Sequence, residues 1–306
     1  MMKLLSANFF SMLHAKRLWL GAVFMAGFAG IEIWSRHRLV SQGFADANLD
    51  ESILSFAPLI FVLLPIICGL FINTDYHDGT IRNKLTVGRS RSSVYIANLL
   101  IVWLVEIFYT AIHFVVVLVG GIGLTFNNLA DTLLRGGLLL LTIAALAAIA
   151  TFIATLITGR YALVLCALIA IGMMFGSQMM NSMLESPDTT PDYRDVTIIT
   201  DEDGNTRYEY FDSEGNKYAD PDDIPMVPNP GYVHEPLRTI MRKYNDVSPG
   251  GQLWEIVQRG HVEWDIEKQE RVELVTPVWQ LVLYSVLLIV GFTLLGLGIF
   301  KRKDLK

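Results

Sequence analysis

Six long blocks of apolar residues restrict this chain to folds that can place them in a lipid bilayer. A bilayer core about 30 Å thick is crossed by about 20 helical residues, and each block approaches that length. Charged residues make up only 18% of the 306 residues and collect between the blocks. The sequence therefore predicts an all-α membrane protein whose six transmembrane helices lie at about 18–34, 53–72, 94–122, 133–157, 161–180 and 278–300.

Lysine and arginine residues in the short connections predict the orientation of these spans. Cytoplasmic loops of membrane proteins carry an excess of such residues. With the amino terminus inside, twelve cations fall on the cytoplasmic side, while Arg36 and Arg38 are exceptions on the other side. We therefore expect both termini in the cytoplasm. The twelve are Lys3, Lys16, Arg17, Arg82, Lys84, Arg89, Arg91, Arg160, Lys301, Arg302, Lys303 and Lys306.

The order of apolar and polar segments divides the chain into four parts. At the amino terminus, Leu5, Phe9, Met12 and Leu13 would share one face of a helix, which is typical of a helix lying flat at a membrane surface. The predicted parts are an amphipathic interfacial helix at 1–17, transmembrane helices 1–5 at 18–180, an extracytoplasmic domain at 181–275, and helix 6 with a basic cytoplasmic tail at 276–306.

The polar segment 181–275 predicts a small α+β insertion between helices 5 and 6. Turn signals at 203–205 and 213–217 follow β-rich runs, which indicates a β-meander at about 195–220. Two short helices are expected at about 235–259, on either side of 248–250. The segment carries 21 acidic and 9 basic residues. This charge argues against a nucleic-acid partner; binding of a cationic peptide, a cap on a dimer, or solvated surface all stay open.

Cysteine and metal chemistry contribute little to the prediction. Cys68 and Cys166 lie inside apolar blocks, where small residues pack helices. Asp75, His77 and Asp78 are more typical of a turn than of a metal site. We therefore expect neither a disulfide framework nor a bound metal.

The loop 73–93 between spans two and three carries the most functional information. Asp78-Gly79 is a turn signal, and Thr80 is placed to cap a short helix in which Ile81 and Leu85 share one face. Gly88 would end that helix, and Ser92 or Ser93 could cap the next span. A short helix with an apolar edge and the basic residues Arg82, Lys84, Arg89 and Arg91 suits docking in a groove of a cytoplasmic protein.

Several residues of this loop follow one another in an order seen in a known family. They are Asp75, Gly79-Thr80, Leu85 and the segment 88–91, and 244–252 before the last span is a second match. With the six spans, this order resembles the permease subunit of a bacterial type-2 ATP-binding-cassette (ABC) exporter. That family more often has proline where this chain has Gly88.

The resemblance implies a partner that supplies energy. The loop would be a coupling helix that docks, through Gly79, Thr80, Ile81, Arg82, Lys84, Leu85, Arg89 and Arg91, on a cytoplasmic ABC ATPase present in two copies. A second permease subunit, identical or homologous, would complete the pathway in the bacterial cytoplasmic membrane. The chain has no Gly-x-x-x-x-Gly-Lys-Ser/Thr segment. We therefore expect no enzyme activity and no cofactor here, with ATP and Mg bound by the ATPase.

Two further sets of residues are candidate parts of a transport pathway. Glu106, Tyr109, Thr110 and His113 form one stripe of the third span, and a carboxylate at mid-membrane should face protein or water. The stripe would either line the pathway or make hydrogen bonds between helices. By resemblance, the helices at 235–259 would close its outer exit, with an outer gate at Pro249, Gly250, Gly251 and Gln252.

Three functions fit these observations. The first is an exporter permease that moves a hydrophobic or amphipathic substrate, such as a peptide or antibiotic, out of the cell. The second is an ion-driven secondary transporter using Glu106 and His113, although the inverted repeats common in such carriers are not evident. The third is a membrane receptor or sensor that binds a ligand through the acidic domain.

Overall fold

The computed structural model describes residues 2–44, 46, 48–157, 160–200 and 206–303. The chain divides into two compact units. A helical unit comprises Met1–Gln178, Lys243–His261 and Val275–Lys306, and an insertion unit comprises Met179–Arg242 and Val262–Leu274. The predicted domain at 181–275 therefore differs from the observed unit, because residues 243–261 pack with the helices.

Eleven α-helices make up most of the described chain. They are α1 (Met2–Leu13), α2 (Lys16–Ser41), α3 (Asp50–Leu54), α4 (Phe56–His77), α5 (Thr80–Thr86), α6 (Arg91–Gly120), α7 (Leu129–Leu156), α8 (Arg160–Glu185), α9 (Leu237–Val247), α10 (Pro249–Gln258) and α11 (Val278–Arg302). The connection between α7 and α8 includes Thr158 and Gly159, which lie outside the described residues. The end of the predicted basic tail, at 304–306, also lies outside them.

Six helical segments are long and apolar enough to cross a membrane, as predicted. Most of them extend past the predicted bounds. The first continues to Ser41 rather than stopping near residue 34, since helix formation does not require apolar side chains once the helix has left the lipid. Arg36 in this extension pairs with Glu51, with 2.6 Å between Nη2 and Oε2.

The second span is built from α3 and α4, which are separated at Ser55. Pro58 stands four residues after Leu54 and has no N–H to donate to the Leu54 carbonyl. One hydrogen bond that would join the two helices is therefore impossible. Pro65 lies inside α4.

The amino-terminal helix α1 packs one of its faces against the rest of the helical unit. Leu4, Asn8 and Met12 are its buried residues, whereas Phe9 is exposed. The Asn8 side-chain amide donates a 2.9 Å hydrogen bond to Oδ1 of Asn98 on α6. This buried polar pair fixes the rotation of α1 about its axis. The pattern of apolar residues alone did not predict the pair.

The insertion unit contains short antiparallel sheets. The predicted meander is present as β2 (Asp195–Thr200), β3 (Thr206–Phe211) and β4 (Lys217–Tyr218), with Ile198 opposite Tyr208. Its first turn, predicted at 203–205, lies outside the described residues. The flanking strands are β1 (Thr189–Pro191), which pairs with β5 (Met226–Pro228).

The second turn of the meander is organised by one carboxylate. Asp212 accepts hydrogen bonds from the backbone amides of Glu214 and Asn216, from the Asn216 side chain and from the Tyr218 hydroxyl. Loss of solvent acts to raise the pKa of Asp212, but these four donors outweigh it and lower the pKa. Local donors therefore organise this turn, and the Ser213 hydroxyl ties it to Asp192 at 2.7 Å.

Near the last span, the structure differs from the prediction in two ways. It contains a further hairpin, and the boundaries of two helices are shifted. Strands β6 (His261–Asp265) and β7 (Glu270–Leu274) pair with each other and were not predicted. The two predicted helices are α9 and α10, but residues 248–250 do not form a loop. Ser248 caps α10 by accepting from the Gly251 amide, and Pro249 is its first residue, where a missing N–H costs nothing.

Candidate functional site

The short helix predicted between the second and third spans is α5. Gly79 precedes it with a φ of 68° and Gly88 follows it with a φ of 81°, conformations that favour glycine at both ends. Two predicted caps are wrong. Gly79, not Thr80, occupies the capping position of α5, and Ser90, not Ser92 or Ser93, caps α6 by accepting from the Ser93 amide.

One face of α5 is held by the chain itself. Ile81 is only 2% exposed and belongs to a buried cluster that draws on the amino terminus, the start of α6 and the end of α11. We call this cluster the α5 core; its members are Leu4, Ile81, Val94, Tyr95, Ala97 and Phe300. Leu85 is partly buried and packs against it. The apolar edge predicted for partner docking is therefore used internally.

An ion pair fixes α5 to the end of α4. Lys84 Nζ lies 2.6 Å from Asp75 Oδ2, and both side chains are nearly buried. Arg17, at the start of α2, donates to the Thr74 hydroxyl at 2.8 Å and to the Leu70 carbonyl at 3.2 Å. Movement of α5 is thereby tied to the helices that enter the membrane.

The other face of α5 is exposed. Arg82, Asn83 and Thr86 are exposed, and Val87 is 78% exposed. These four residues, which we call the α5 outer face, combine a cation, polar groups and one apolar side chain. Of the predicted docking residues, Arg82 lies on this face and Arg89 is partly exposed.

Arg91 and Lys303 join this region to the ends of two spans. Arg91 donates to the backbone carbonyls of Phe300, Lys301 and Lys303 at the end of α11. Lys303 Nζ in turn donates to the carbonyls of Thr155 and Leu156 at the end of α7. The predicted coupling residue Arg91 thus holds the carboxy-terminal end of α11 in place.

The polar stripe of α6 is buried, as expected for a helix face turned toward protein. Glu106, Tyr109, Thr110 and His113 are each at most 4% exposed. The Tyr109 hydroxyl donates to the Leu18 carbonyl at 3.1 Å. The His113 Nε2 lies 3.0 Å from the Ser52 carbonyl, which can only accept a hydrogen bond. These two contacts link helices; a role of the stripe in a pathway stays a prediction.

The four residues predicted as an outer gate form the buried start of α10. Pro249, Gly250, Gly251 and Gln252 are all buried in the helical unit. A Cβ on Gly250 would collide with the Met173 carbonyl of α8. Close approach of two backbones therefore requires glycine at this position.

Gln252 makes the side-chain hydrogen bonds that connect the start of α10 to neighbouring helices. Its Oε1 accepts from the hydroxyls of Ser285 on α11 at 2.7 Å and Thr142 on α7 at 3.3 Å. Its Nε2 donates to the carbonyls of Asp246 and Val247 at the end of α9. One fully buried amide therefore joins four helices.

Sequence reasoning did not predict the partners that hold these residues. Asp75 with Lys84, and Gln252 with Thr142 and Ser285, are contacts between different elements. The sequence did contain a signal for the pair Asp75–Lys84. An acidic residue before a glycine turn and a lysine after it can meet when the chain reverses direction. The contacts of Gln252 gave no local signal, since hydroxyls are common in membrane helices.

Six apolar helices with a strand-containing insertion define a multi-pass membrane protein. Comparison with known families is more specific. The ABC-2 family transporter protein family matches residues 8–305. The chain belongs to this family, which confirms the resemblance to an ABC transporter permease and implies in general an ATPase subunit as partner. A search of curated proteins found no match.

Proposed function

We propose that this chain is the permease subunit of an ATP-driven exporter in the bacterial cytoplasmic membrane. Two copies of a separate ATPase would bind ATP and Mg and dock on two permease subunits, identical or homologous. The chain itself would have no enzyme activity. Both termini and α5 would face the cytoplasm, and the acidic insertion would lie outside. The substrate would be a hydrophobic or amphipathic molecule such as a peptide or antibiotic.

One observation carries this proposal: α5 is anchored on one face and exposed on the other. Ile81 and Lys84 secure it to the ends of α4, α6 and α11, so that a force on the α5 outer face acts on the spans. A freely hinged loop would absorb the same force. The arrangement suits transmission of a conformational change from a cytoplasmic partner.

The buried start of α10 supports the same proposal. It is joined through Gln252 to α7 and α11. A closed exit needs an element that occupies the space between spans and can be released when they separate. We assign that role to Pro249, Gly250, Gly251 and Gln252.

The proposal predicts that the α5 outer face binds the ATPase. We expect Arg82→Glu and Val87→Asp to reduce co-purification of a co-expressed ABC ATPase from the same organism by about tenfold or more, since few residues dominate an interface. The measurement is affinity purification of the full chain, followed by transport-coupled ATP hydrolysis in proteoliposomes.

Lys16→Glu is the matched control. It reverses a charge at the exposed first residue of α2, off the α5 outer face, and should leave co-purification unchanged. Wild-type protein that fails to bind the ATPase would refute the proposal. So would normal association and coupled hydrolysis in both α5 variants. Transport that continues without ATP and stops with the proton gradient would favour a secondary transporter.

A further inference from the structure

A cavity of about 320 Å³ lies between the starts of α7 and α11 and the end of α10. Its wall is polar on one side, with Asp131, Arg135 and Arg259, and apolar on the other, with Leu134, Leu138 and Leu281. All of these residues belong to the helical unit. The proposed export mechanism does not use this cavity.

The polar side places two guanidinium groups on one carboxylate oxygen. Asp131 Oδ2 lies 3.0 Å from Arg135 Nε and 3.2 Å from Arg259 Nη2. A guanidinium has five N–H donors, so the shared oxygen leaves most of them available. Among the described residues, neither guanidinium makes another ion pair or hydrogen bond. The pair therefore retains an excess of donors. Asp50 also acts electrostatically on both guanidiniums, but its oxygens accept from the Asn127 amide and the Thr132 hydroxyl.

A second carboxylate in the wall does not offset this excess by contact. Glu255 is held 2.6 Å from His261 Nδ1 and accepts from the Thr276 amide at 2.6 Å. Both of its oxygens thus already accept a hydrogen bond. An additional anion would complete the donor set of Arg135 and Arg259.

The apolar side continues onto surfaces that face lipid. Leu134 on α7 is 49% exposed and Val278 on α11 is 44% exposed, and both belong to membrane-spanning helices. Deeper in the wall, Leu138 and Leu281 are buried. A ligand in the cavity would therefore have an anionic group at the helix ends and a hydrocarbon body within the bilayer.

We propose that this cavity binds a phospholipid from the adjoining leaflet. Its phosphodiester would accept hydrogen bonds from Arg135 and Arg259, and an acyl chain would lie along Leu134 and Leu138. Arginine matches phosphate because its planar fork offers paired donors. Basic pockets between transmembrane helices bind lipid head groups for the same reason. Free phosphate would use only the polar side, and diacylglycerol only the apolar side.

The test uses the full chain purified in a neutral detergent, with native mass spectrometry to measure binding. The probes are phosphatidylglycerol, diacylglycerol with the same acyl chains, and inorganic phosphate. We expect the wild type to bind phosphatidylglycerol about tenfold more tightly than diacylglycerol, because charge-assisted hydrogen bonds are lost with the phosphate. Inorganic phosphate alone should neither bind measurably nor displace the lipid.

Arg259→Gln should weaken phosphatidylglycerol binding by about tenfold. Arg259 is 58% exposed, so this change spares the fold. Leu134→Trp, which fills the apolar side, should weaken binding independently. Arg194→Gln removes an exposed cation of the insertion unit and should bind as the wild type does. Equal binding of lipid by the wild type and Arg259→Gln, or of phosphatidylglycerol and diacylglycerol by the wild type, would overturn the proposal.

Discussion

Glu255 joins the end of α10 to the segment that leads into α11. Burial acts to raise the pKa of its carboxyl, but hydrogen bonds from His261 and from the Thr276 amide outweigh burial and lower the pKa. A group whose pKa is lower in the folded state stabilises that state once the pH exceeds its unfolded pKa. This contribution is lost as the pH falls through the folded pKa.

The direction of this shift predicts a pH-dependent cost of Glu255→Gln. Above about pH 5, where the unfolded carboxyl is ionised, the variant should lose about 2 kcal/mol of unfolding free energy, the cost of breaking charge-assisted hydrogen bonds. The loss should shrink as the pH falls below the ordinary carboxyl range. Unfolding in detergent at several pH values measures it, with exposed Glu267→Gln as the control. A difference that does not change with pH would contradict the assignment.

At the scale of elements, patterns that depend on neighbouring residues were predictable. The spans follow from apolar length, and the meander from its turn residues. The β6–β7 hairpin was missed although Val262, Trp264 and Ile266 alternate with polar residues, because the strands are short and rich in charge. The start of α10 was missed although Ser248-Pro249 is a capping signal.

Contacts between distant elements were not predictable from one sequence. Asp131 and Arg135 stand four apart on α7, so their pairing could be foreseen, but the approach of Arg259 to the same oxygen depends on how α10 packs. The burial of Ile81 also depends on distant elements, so the sequence predicted that this residue faces a partner. Its pattern gave an apolar edge, whereas the surface that covers this edge comes from the amino terminus, the start of α6 and the end of α11.

The hydrogen bonds of Gln252, which connect α7, α10 and α11, predict that Gln252→Leu strongly lowers the free energy of unfolding. Leucine would leave the buried hydroxyls of Thr142 and Ser285, and two partly buried carbonyls of α9, each without one partner, since Gln252 serves all four. We expect a loss of about 3 kcal/mol in unfolding free energy. The exposed Gln258, on the same helix, provides the control Gln258→Leu, which should cost much less. Equal losses in the two variants would show that the buried amide does not hold the helices together.

At the scale of the whole molecule, each structural feature described above can be assigned to one of the two units. The spans, α5 and the buried start of α10 all belong to the helical unit. The meander belongs to the insertion unit, and the segment that contains it begins and ends at adjacent points. The Asn229 amide donates to the Asp188 carbonyl at 2.9 Å, and the Asn229 side chain donates to the Pro187 carbonyl at 2.7 Å. Residues 189–228 can therefore be removed and the chain closed with a short glycine turn.

This excision separates the transport machinery from the acidic insertion. If α5 and the helical unit carry coupling, the shortened chain should fold and co-purify the ATPase at the level of the full chain, because the contacts of α5 are unchanged. The measurements are thermal unfolding and ATPase co-purification. Arg238→Met provides the contrast, since its buried guanidinium donates to the carbonyls of Leu184 and Trp264 and its loss should lower the unfolding temperature. A shortened chain that folds but no longer binds the ATPase would mean that the insertion takes part in coupling.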